Sequence, residues 1–209
     1  MCPSHDLILQ FKTKAEAVSA TVHQVGSVRE ALAYAVDLCE RKDACQLLAS
    51  GCEAPLSHAA TDLCEAKQKK WIAAPGLPAE EGGFLESACG ERGIGVVKDS
   101  LRNHTAGIDI GFTVADYGIA ETGSLVIESS SEAVRLATMI SEIHVAAIAA
   151  GRIRPTAMDL EPELREMMAE APSYTAFITG ASRTADIERV LALGVHGPLE
   201  LHILIVEDR

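Results

Sequence analysis

Residues 27–51, SVREALAYAVDLCERKDACQLLASG, contain a helical pattern and then a strand-like one. Ser27 is a favourable N-cap, and behind it apolar residues recur at helical spacing: Val28, Leu32, Ala35, Val36 and Cys39. The run 45–49 is largely apolar and ends at Ser50-Gly51, which predicts a short buried strand. This stretch therefore predicts one unit made of a helix followed by a strand.

The same alternation continues on both sides of this unit. Helices are predicted over 6–20, 57–70, 80–92 and 155–169. Strands are predicted over 71–74, 94–97, 125–127, 143–149, 174–179 and 199–206, the last with Leu199, Leu201, Ile203 and Ile205 on one face. Helix–strand units joined by brief turns are typical of a parallel sheet covered by helices. We therefore predict the α/β class, with a helical N-terminal segment over 1–20 and a single α/β domain over 21–209.

The composition excludes several classes of protein. The chain has 209 residues, 18 basic against 30 acidic side chains and a formal net charge of −12. A hydrophobic content of 48% is enough to bury a core, so disordered and fibrous chains are excluded. The negative charge repels phosphate backbones and anionic bilayers, and the longest apolar runs are far shorter than the roughly 18 residues of a membrane span. We expect neither a nucleic-acid partner nor a membrane span.

All lysines and all cysteines lie in the first 98 residues. Chemistry in the second half is therefore limited to Ser, Thr, Asp, Glu, His and Arg. The cysteines contain no Cys-x-x-Cys pair, so we predict free thiols, no metal site and a reducing, cytoplasmic location.

Residues 116–124, DYGIAETGS, form the first segment that can carry chemistry. Asp116 and Glu121 are candidate acid, base or nucleophile groups. Amides and hydroxyls of the same turn are candidate contacts to an anionic ligand: Thr122, Gly123 and Ser124. The alternative is a tight hairpin whose glycines allow positive φ and whose carboxylates face solvent.

Residues 180–188, GASRTADIE, form the second segment and follow the predicted strand 174–179. Amides at the start of a helical turn and a guanidinium favour an anion there. The candidate ligand-binding residues are Gly180, Ser182, Arg183, Thr184 and Asp186. Arg183 is the expected fixed cation for the anion. The alternative is a capped helix start in which Arg183 pairs with Asp186 or Glu188.

Residues 194–198, GVHGP, form the third segment. His196 lies between glycines and titrates near neutrality, so it is a candidate for proton transfer, with Gly197 as a ligand contact. The alternative is a turn histidine in solvent. His144, inside an apolar run, is predicted to be a core histidine with a satisfied hydrogen bond rather than a metal ligand.

Taken together, ADYGIAETGS (115–124), GASRTADIE (180–188) and GVHGPLELH (194–202) resemble the LUD-domain family, most closely its lactate-utilisation protein C branch. The resemblance covers about residues 21–206 and is strongest beyond Gly107. Family members usually carry Thr where this chain has Ser124, Pro where it has Ala181, and a Pro-Pro-like pair where it has Ser141-Glu142. The last two changes loosen the backbone and affect the shape of these loops.

The resemblance implies a Rossmann-like sheet similar to the sugar-phosphate isomerase and CoA-transferase superfamily. Ligands of such sheets bind beyond the carboxyl ends of the strands, where the three segments are expected to share one crevice. The resemblance also implies a part in the bacterial oxidation of L-lactate to pyruvate. Two iron–sulfur partner proteins are expected to carry the redox centres, and this chain is expected to bind no cofactor itself.

Three functions remain open at this point. The first is a component of a lactate-oxidising complex that binds a small anion, a carboxylate or a phosphate. The second is a metabolite-sensing or assembly subunit without catalysis. The third is a stand-alone enzyme of the CoA-transferase or isomerase type that uses Glu121 or Asp116, Arg183 and His196.

Overall fold

The computed structural model of the chain describes residues 5–42, 69–104, 107–169, 171–184, 192–193 and 197–207. The strand predicted over 45–49 and nearly all of the helix predicted over 57–70 lie outside the described residues. Two candidate site residues, Asp186 and His196, also lie outside them.

The described strands and helices alternate along most of the chain. The strands are β1 (Ala20–Val25), β2 (Trp71–Ala73), β3 (Gly95–Val97), β4 (Ile108–Val114), β5 (Tyr117–Ile119), β6 (Ser124–Glu128), β7 (Ser141–Ala149), β8 (Ile153–Arg154), β9 (Thr175–Ile178), β10 (Arg183–Thr184), β11 (Ala192–Leu193) and β12 (Glu200–Val206). The α-helices are α1 (His5–Ala17), α2 (Val28–Arg41), α3 (Ala79–Gly90), α4 (Glu132–Met139) and α5 (Glu161–Met167). None of the described helices is both long and apolar enough to cross a membrane.

The central sheet has the strand order β1-β12-β7-β4-β2-β3, and every pair in it is parallel. Strands β4, β7 and β12 are buried along nearly their whole length, as expected when both faces of a parallel sheet are covered. The predicted α/β class with a parallel sheet and covering helices is confirmed.

Helices α2 and α3 cover one face of this sheet. The N-cap of α2 is Ser27, whose hydroxyl accepts a hydrogen bond from the amide of Glu30, as its sequence predicts. The apolar stripe of α2 packs with Leu85 of α3 against Ile110 and Phe112 of β4. Burial of this amphipathic face, rather than helix propensity, stabilises α2.

Helix α1 and a second sheet cover the other face. The second sheet has the order β8-β5-β6-β9, in which β5 and β6 form an antiparallel hairpin. Phe11 and Ala15 of α1 are fully buried in the same core as Leu125 of β6 and Ile203 of β12. Helix α5 packs Leu164 on the outer side of the second sheet.

Two strands of the central sheet were missed by the sequence predictions. In β1 only Ala20 and Val22 are buried, while Thr21 between them and His23 and Gln24 after them are exposed, so no apolar run is visible. In β4 the apolar pattern is interrupted by Asp109 and Gly111. A Cβ on Gly111 would collide with the backbone carbonyl of Ala137 in α4, so close helix–sheet packing requires glycine there.

Two predicted helices are shorter than expected. The helix predicted over 6–20 ends at Ala17, because the chain turns into β1. The helix predicted over 155–169 begins only at Glu161. Before it, the amide and hydroxyl of Thr156 donate to Asp159 Oδ2 at 3.0 and 2.7 Å, and Met158–Leu160 form a short 3-10 helix in place of an α-helical turn.

A buried ion cluster joins α2 to the amino edge of the central sheet. Lys42 Nζ lies 2.8 Å from Asp109 Oδ1 of β4 and 2.6 Å from Glu142 Oε2 of β7. Asp109 Oδ2 also accepts a hydrogen bond from the amide of Trp71 at 2.8 Å. All three charged side chains are almost fully buried. Glu142, one of the departures from the family pattern, therefore anchors β7 to the end of α2.

Candidate functional site

A cleft of about 520 Å³ opens at the carboxyl ends of β4 and β7. Its lining residues are Val114, Ala115, Asp116, Tyr117, Ala149, Arg152, Glu163, Glu166 and Met167. Strand β4 supplies one wall, the turn after β7 supplies the second and α5 supplies the third. This is the edge at which parallel α/β sheets bind their ligands.

Asp116 lies at the centre of this edge. Its Oδ2 accepts a hydrogen bond from the amide of Glu128 at 2.6 Å, and its own amide donates to Val126 at 3.0 Å. Burial raises the pKa of Asp116 above its usual range, and the Glu128 carboxylate acts in the same direction, while the Glu128 amide and the Arg152 guanidinium oppose the shift. A carboxyl group that is half-buried and lines a cleft is a candidate for proton transfer.

Two arginines flank Tyr117 in the cleft. Arg152 Nη1 donates to the Tyr117 hydroxyl at 2.8 Å, and the guanidinium carbons of Arg152 and Arg154 lie 5.2 and 5.4 Å from the centre of its ring. Arg154 also donates through Nε and Nη2 to Glu163 Oε1 at 3.0 and 2.9 Å. The Glu163 backbone amide and the Arg154 guanidinium hold the pKa of Glu163 below its usual range. Arg154 is thus committed to Glu163, and the exposed Arg152 is the cation that the cleft presents to a ligand.

A smaller cavity of about 150 Å³ adjoins the cleft on the side of β2. The two share Val114 and Asp116, and Thr113 lines the smaller cavity. Thr113 Oγ1 lies 2.8 Å from Nε2 of His144, which is fully buried in β7. His144 is therefore a core histidine with a hydrogen-bond partner, as its sequence context predicts.

Burial of His144 gives a testable pH dependence. Burial lowers the pKa of His144 to about 4 from its ordinary 6.5, so the unfolded chain binds the proton more readily. The stabilisation from the neutral ring is present above pH 6.5 and is lost as the pH falls toward 4. Between pH 7 and pH 5 this group should remove about 2 kcal/mol from the free energy of unfolding.

Denaturant unfolding at both pH values measures this loss. In His144→Gln the loss between pH 7 and pH 5 is expected to shrink by about 2 kcal/mol. The matched control His5→Gln, at an exposed position on α1, is expected to keep the wild-type dependence. An unchanged pH dependence in His144→Gln would show that this ring does not carry the effect.

The first segment forms the turn and strands of the β5–β6 hairpin. The tight hairpin named as the alternative in the sequence analysis is therefore present. Asp116 and Glu121 lie at opposite ends of β5, and Glu121 is exposed in the turn. The hydroxyls of Thr122, Ser124 and Thr179 form a chain with oxygen–oxygen distances of 2.7 and 2.6 Å. The turn of the first segment therefore contacts Thr179, the residue directly before the second segment.

Two glycines of these segments are explained by packing. Gly123 and Gly180 have φ of +68° and +72°, a region that favours glycine. A Cβ on Gly123 would collide with the backbone nitrogen of Ala15, and one on Gly180 with the carbonyl oxygen of Val18. Both turns thus lie against the end of α1, and the structure does not require a ligand to account for these glycines.

The described parts of the second and third segments meet at the amino edge of the central sheet. The amide of Ser182 donates to the carbonyl of Pro198 at 3.0 Å, and a Cβ on Gly197 would lie 3.2 Å from that of Ser182. The cavity between them is only about 20 Å³ and reaches His144. A space of this size holds at most one water molecule.

The helical turn predicted to begin around Arg183 is not present in the described residues 180–184, because strand β10 lies there. Arg183 and Thr184 are extended and pair antiparallel with Ala192–Leu193. Their backbone groups are therefore engaged in a ladder, and Arg183 is exposed. Among the described residues, Asp116 lies at the carboxyl edge, whereas Ser182 and Gly197 lie at the amino edge. The described residues of the three segments do not share one crevice.

Tyr117, Arg152 and Glu163 were missed by the sequence predictions. Arg152 and Arg154 follow the apolar run of β7 in the sequence GRIRP. Basic residues directly after a buried strand could have indicated an anion site at the carboxyl end of that strand. Glu163 comes from a helix whose position over the cleft depends on tertiary packing.

The described cysteines and acidic residues form no evident metal site. Within the described ranges no group of three or more His, Cys, Asp or Glu residues is arranged to hold a metal ion. Cys39 and Cys89 are free thiols in the core between α2 and α3. Burial raises the pKa of Cys39 to about 12 and that of Cys89 to about 11, so neither is a reactive thiolate at neutral pH.

Several known proteins are similar in sequence to part of this chain. Lactate utilization protein C of Halalkalibacterium halodurans is 38% identical over 104 residues, a stretch covering 48% of this chain and 45% of that protein. The protein of the same name from Bacillus subtilis is 32% identical over 104 residues, covering 48% and 43%. The uncharacterized protein YkgG of Escherichia coli is 33% identical over 102 residues, covering 47% and 44%. The matched stretch thus spans less than half the length of these relatives.

A solved structure and a family model extend the match along the chain. The crystal structure of a DUF162 family protein from Deinococcus radiodurans has a TM-score of 0.56 at 16% identity and covers 96% of both chains, which shows a shared fold. The LUD domain model matches residues 8–206, from within the first helix to the end of the last strand. The resemblance seen in the sequence is thereby confirmed, and this protein belongs to the LUD domain family.

Proposed function

We propose that this protein is a component of a bacterial L-lactate utilisation system and acts in the cytoplasm with iron–sulfur partner proteins. The LUD domain over residues 8–206 and the relatives called lactate utilization protein C support this proposal. The structural observation that carries it is the cleft in which Arg152 and Asp116 line the carboxyl edge of the sheet.

In the proposed function the cleft binds a small 2-hydroxy or 2-oxo acid by its carboxylate. An arginine binds a carboxylate through two parallel N–H groups, which adds orientation to charge attraction. The hydrogen bond from Arg152 to the Tyr117 hydroxyl limits the positions that this guanidinium can take. Three carboxylates also line the cleft, so Arg152 is needed to make it favourable for an anion.

Asp116 is the proposed proton acceptor. Oxidation of L-lactate to pyruvate removes two electrons and two protons, one of the protons from the C2 hydroxyl. The half-buried Asp116 carboxylate lines the cleft, and its raised pKa makes it a stronger base for that hydroxyl. We assign the two electrons to the redox centres of the partner proteins, because this chain lacks the Cys-x-x-Cys pairs typical of cluster-binding sequences.

The other predicted site residues remain candidates for a second ligand contact. Thr122 and Ser124 belong to the hydroxyl chain, and the exposed Glu121 directly precedes them. The exposed Arg183 lies in the segment that follows Thr179. In this proposal they are positioned for contact with a partner or a second anion, away from the cleft that holds the small acid.

L-lactate-dependent reduction of an electron acceptor, measured on the protein assembled with its iron–sulfur partners, tests the proposal. Arg152→Gln is expected to raise the KM for L-lactate about tenfold or more, because a charge-assisted hydrogen bond contributes roughly 1.5–3 kcal/mol. Arg165→Gln removes a guanidinium of α5 that pairs with Glu161 and does not line the cleft, so it should leave the KM unchanged.

The outcomes separate the role from the site. Equal acceptor reduction with and without this protein would refute the lactate role. Loss of reduction without the protein, combined with an unchanged KM in Arg152→Gln, would keep the lactate role and refute the cleft as the binding site. If acceptor reduction were equal with and without the protein and the protein nevertheless bound lactate, the result would refute the proposed role in oxidation and indicate a metabolite-sensing subunit.

A further inference from the structure

Three side chains form a hydrogen-bonded chain between α2 and the amino end of β12. The Tyr34 hydroxyl lies 2.8 Å from Nδ1 of His202, and Nε2 of His202 lies 2.9 Å from Oε2 of Glu200. His202 is almost fully buried, whereas the side chain of Glu200 is 48% exposed. The chain therefore runs from a carboxylate in contact with solvent, through a buried imidazole, to a phenol.

The carboxylate fixes the direction of these hydrogen bonds. An ionised carboxylate can only accept, so Nε2 of His202 carries the proton that Glu200 binds. Nδ1 of the neutral ring is then an acceptor, and the Tyr34 hydroxyl donates to it. His202 thus stands ready to take the phenolic proton, and Glu200 stabilises the imidazolium that results.

Tyr34 is partly exposed, and its surroundings favour the protonated phenol. Burial raises the pKa of Tyr34, with the Glu200 charge acting in the same direction and the Arg41 charge opposing them. At neutral pH the phenol therefore depends on a base to become a nucleophile. Its ring is partly exposed and lies 5.3 Å, centre to centre, from the exposed His23 ring on β1.

We propose that Tyr34 is an activated nucleophile that accepts an acyl group from activated esters. The arrangement has the geometry of a nucleophile bonded to a base that is in turn oriented by a carboxylate. The phenolic oxygen attacks the acyl carbon while its proton moves to Nδ1 of His202. The bond from the acyl carbon to the leaving oxygen then breaks, the leaving group departs as an alkoxide or phenolate, and Tyr34 carries the acyl ester.

If the contacts among Tyr34, His202 and Glu200 served only to hold α2 against β12, Tyr34 would react differently with an activated ester. Tyr174 offers a comparison within the same molecule, because it is 58% exposed and its ring is contacted by Arg135. Such a clamp would make Tyr34, which is less exposed, react more slowly than Tyr174. General-base assistance contributes about 10²–10⁴-fold and would reverse that order.

The test is acetylation by p-nitrophenyl acetate, with each tyrosine followed by mass spectrometry of its peptide. Tyr34 is expected to be acetylated about 100-fold faster than Tyr174, with release of p-nitrophenolate. Glu200→Gln, a change at a half-exposed position, is expected to lower the Tyr34 rate about tenfold. Glu200→Asp keeps the charge and is expected to recover part of that loss, while Tyr174→Phe should leave the Tyr34 rate unchanged.

The unfolding temperature of each variant separates reactivity from folding. Slower acetylation of Tyr34 in Glu200→Gln at an unchanged unfolding temperature, with partial recovery in Glu200→Asp, would support the proposal. Acetylation of Tyr34 at or below the rate of Tyr174 in the wild type would overturn it. Equal Tyr34 rates in the wild type and Glu200→Gln would overturn it as well.

Discussion

Lys42→Met is expected to lower the free energy of unfolding by about 3–5 kcal/mol. The change removes the ammonium that lies 2.8 Å from Asp109 and 2.6 Å from Glu142, and it leaves two buried carboxylates without that cation. Methionine preserves most of the side-chain volume, so the loss reports charge rather than a cavity. Chemical denaturation at neutral pH measures it.

Lys98→Met is the matched control for this cluster. Lys98 pairs with Glu86 at 2.7 Å, but both side chains are about half exposed. Exposed ion pairs contribute about 0–1 kcal/mol, so the same replacement there should cost less than about 1 kcal/mol. Equal losses at the two positions would contradict the view that the buried cluster fastens α2 to the amino edge of the sheet.

Gly123→Ala is expected to destabilise the fold by about 3 kcal/mol. At φ +68° an alanine is strained, and its Cβ would also collide with the backbone of Ala15 in α1. Because backbone atoms cannot rotate away as a side chain can, either α1 or the hairpin turn has to shift. Thermal and denaturant unfolding of the variant measure the cost.

Gly76→Ala separates strain from collision. Gly76 has a similar φ of +75°, but no atom lies within 4 Å of an added Cβ. Gly76→Ala should therefore lower the free energy of unfolding by only about 1–2 kcal/mol, which is the cost of the strained backbone. If Gly123→Ala costs no more than Gly76→Ala, α1 is not packed on the turn as the structure describes.

The sequence predicts those elements whose pattern is set by local burial. The cap and apolar stripe of α2 and the long apolar runs of β7 and β12 are visible because burial follows one regular period or a continuous run. Strand β4 is not visible in this way, because the burial of Asp109 depends on the ion pair with Lys42 at the end of α2 and on the amide of Trp71. Such compensation comes from another part of the chain, and no local pattern contains it.

The candidate site was predictable only in part for the same reason. Asp116 follows a strand and can be proposed from the sequence, whereas Arg152 and Glu163 reach it from the turn after β7 and from α5. Gly123 was assigned to ligand binding, but its contact with α1 depends on tertiary packing. Residue type indicates which groups are able to act, and the fold determines which of them meet.

The most direct measurement of the central claim is the rate of L-lactate-dependent acceptor reduction by the assembly of this protein with its iron–sulfur partners. We predict that the rate requires this protein and that Arg152→Gln raises the KM for L-lactate about tenfold or more, while Arg165→Gln does not change it. Acceptor reduction that continues unchanged when the protein is left out would contradict the account.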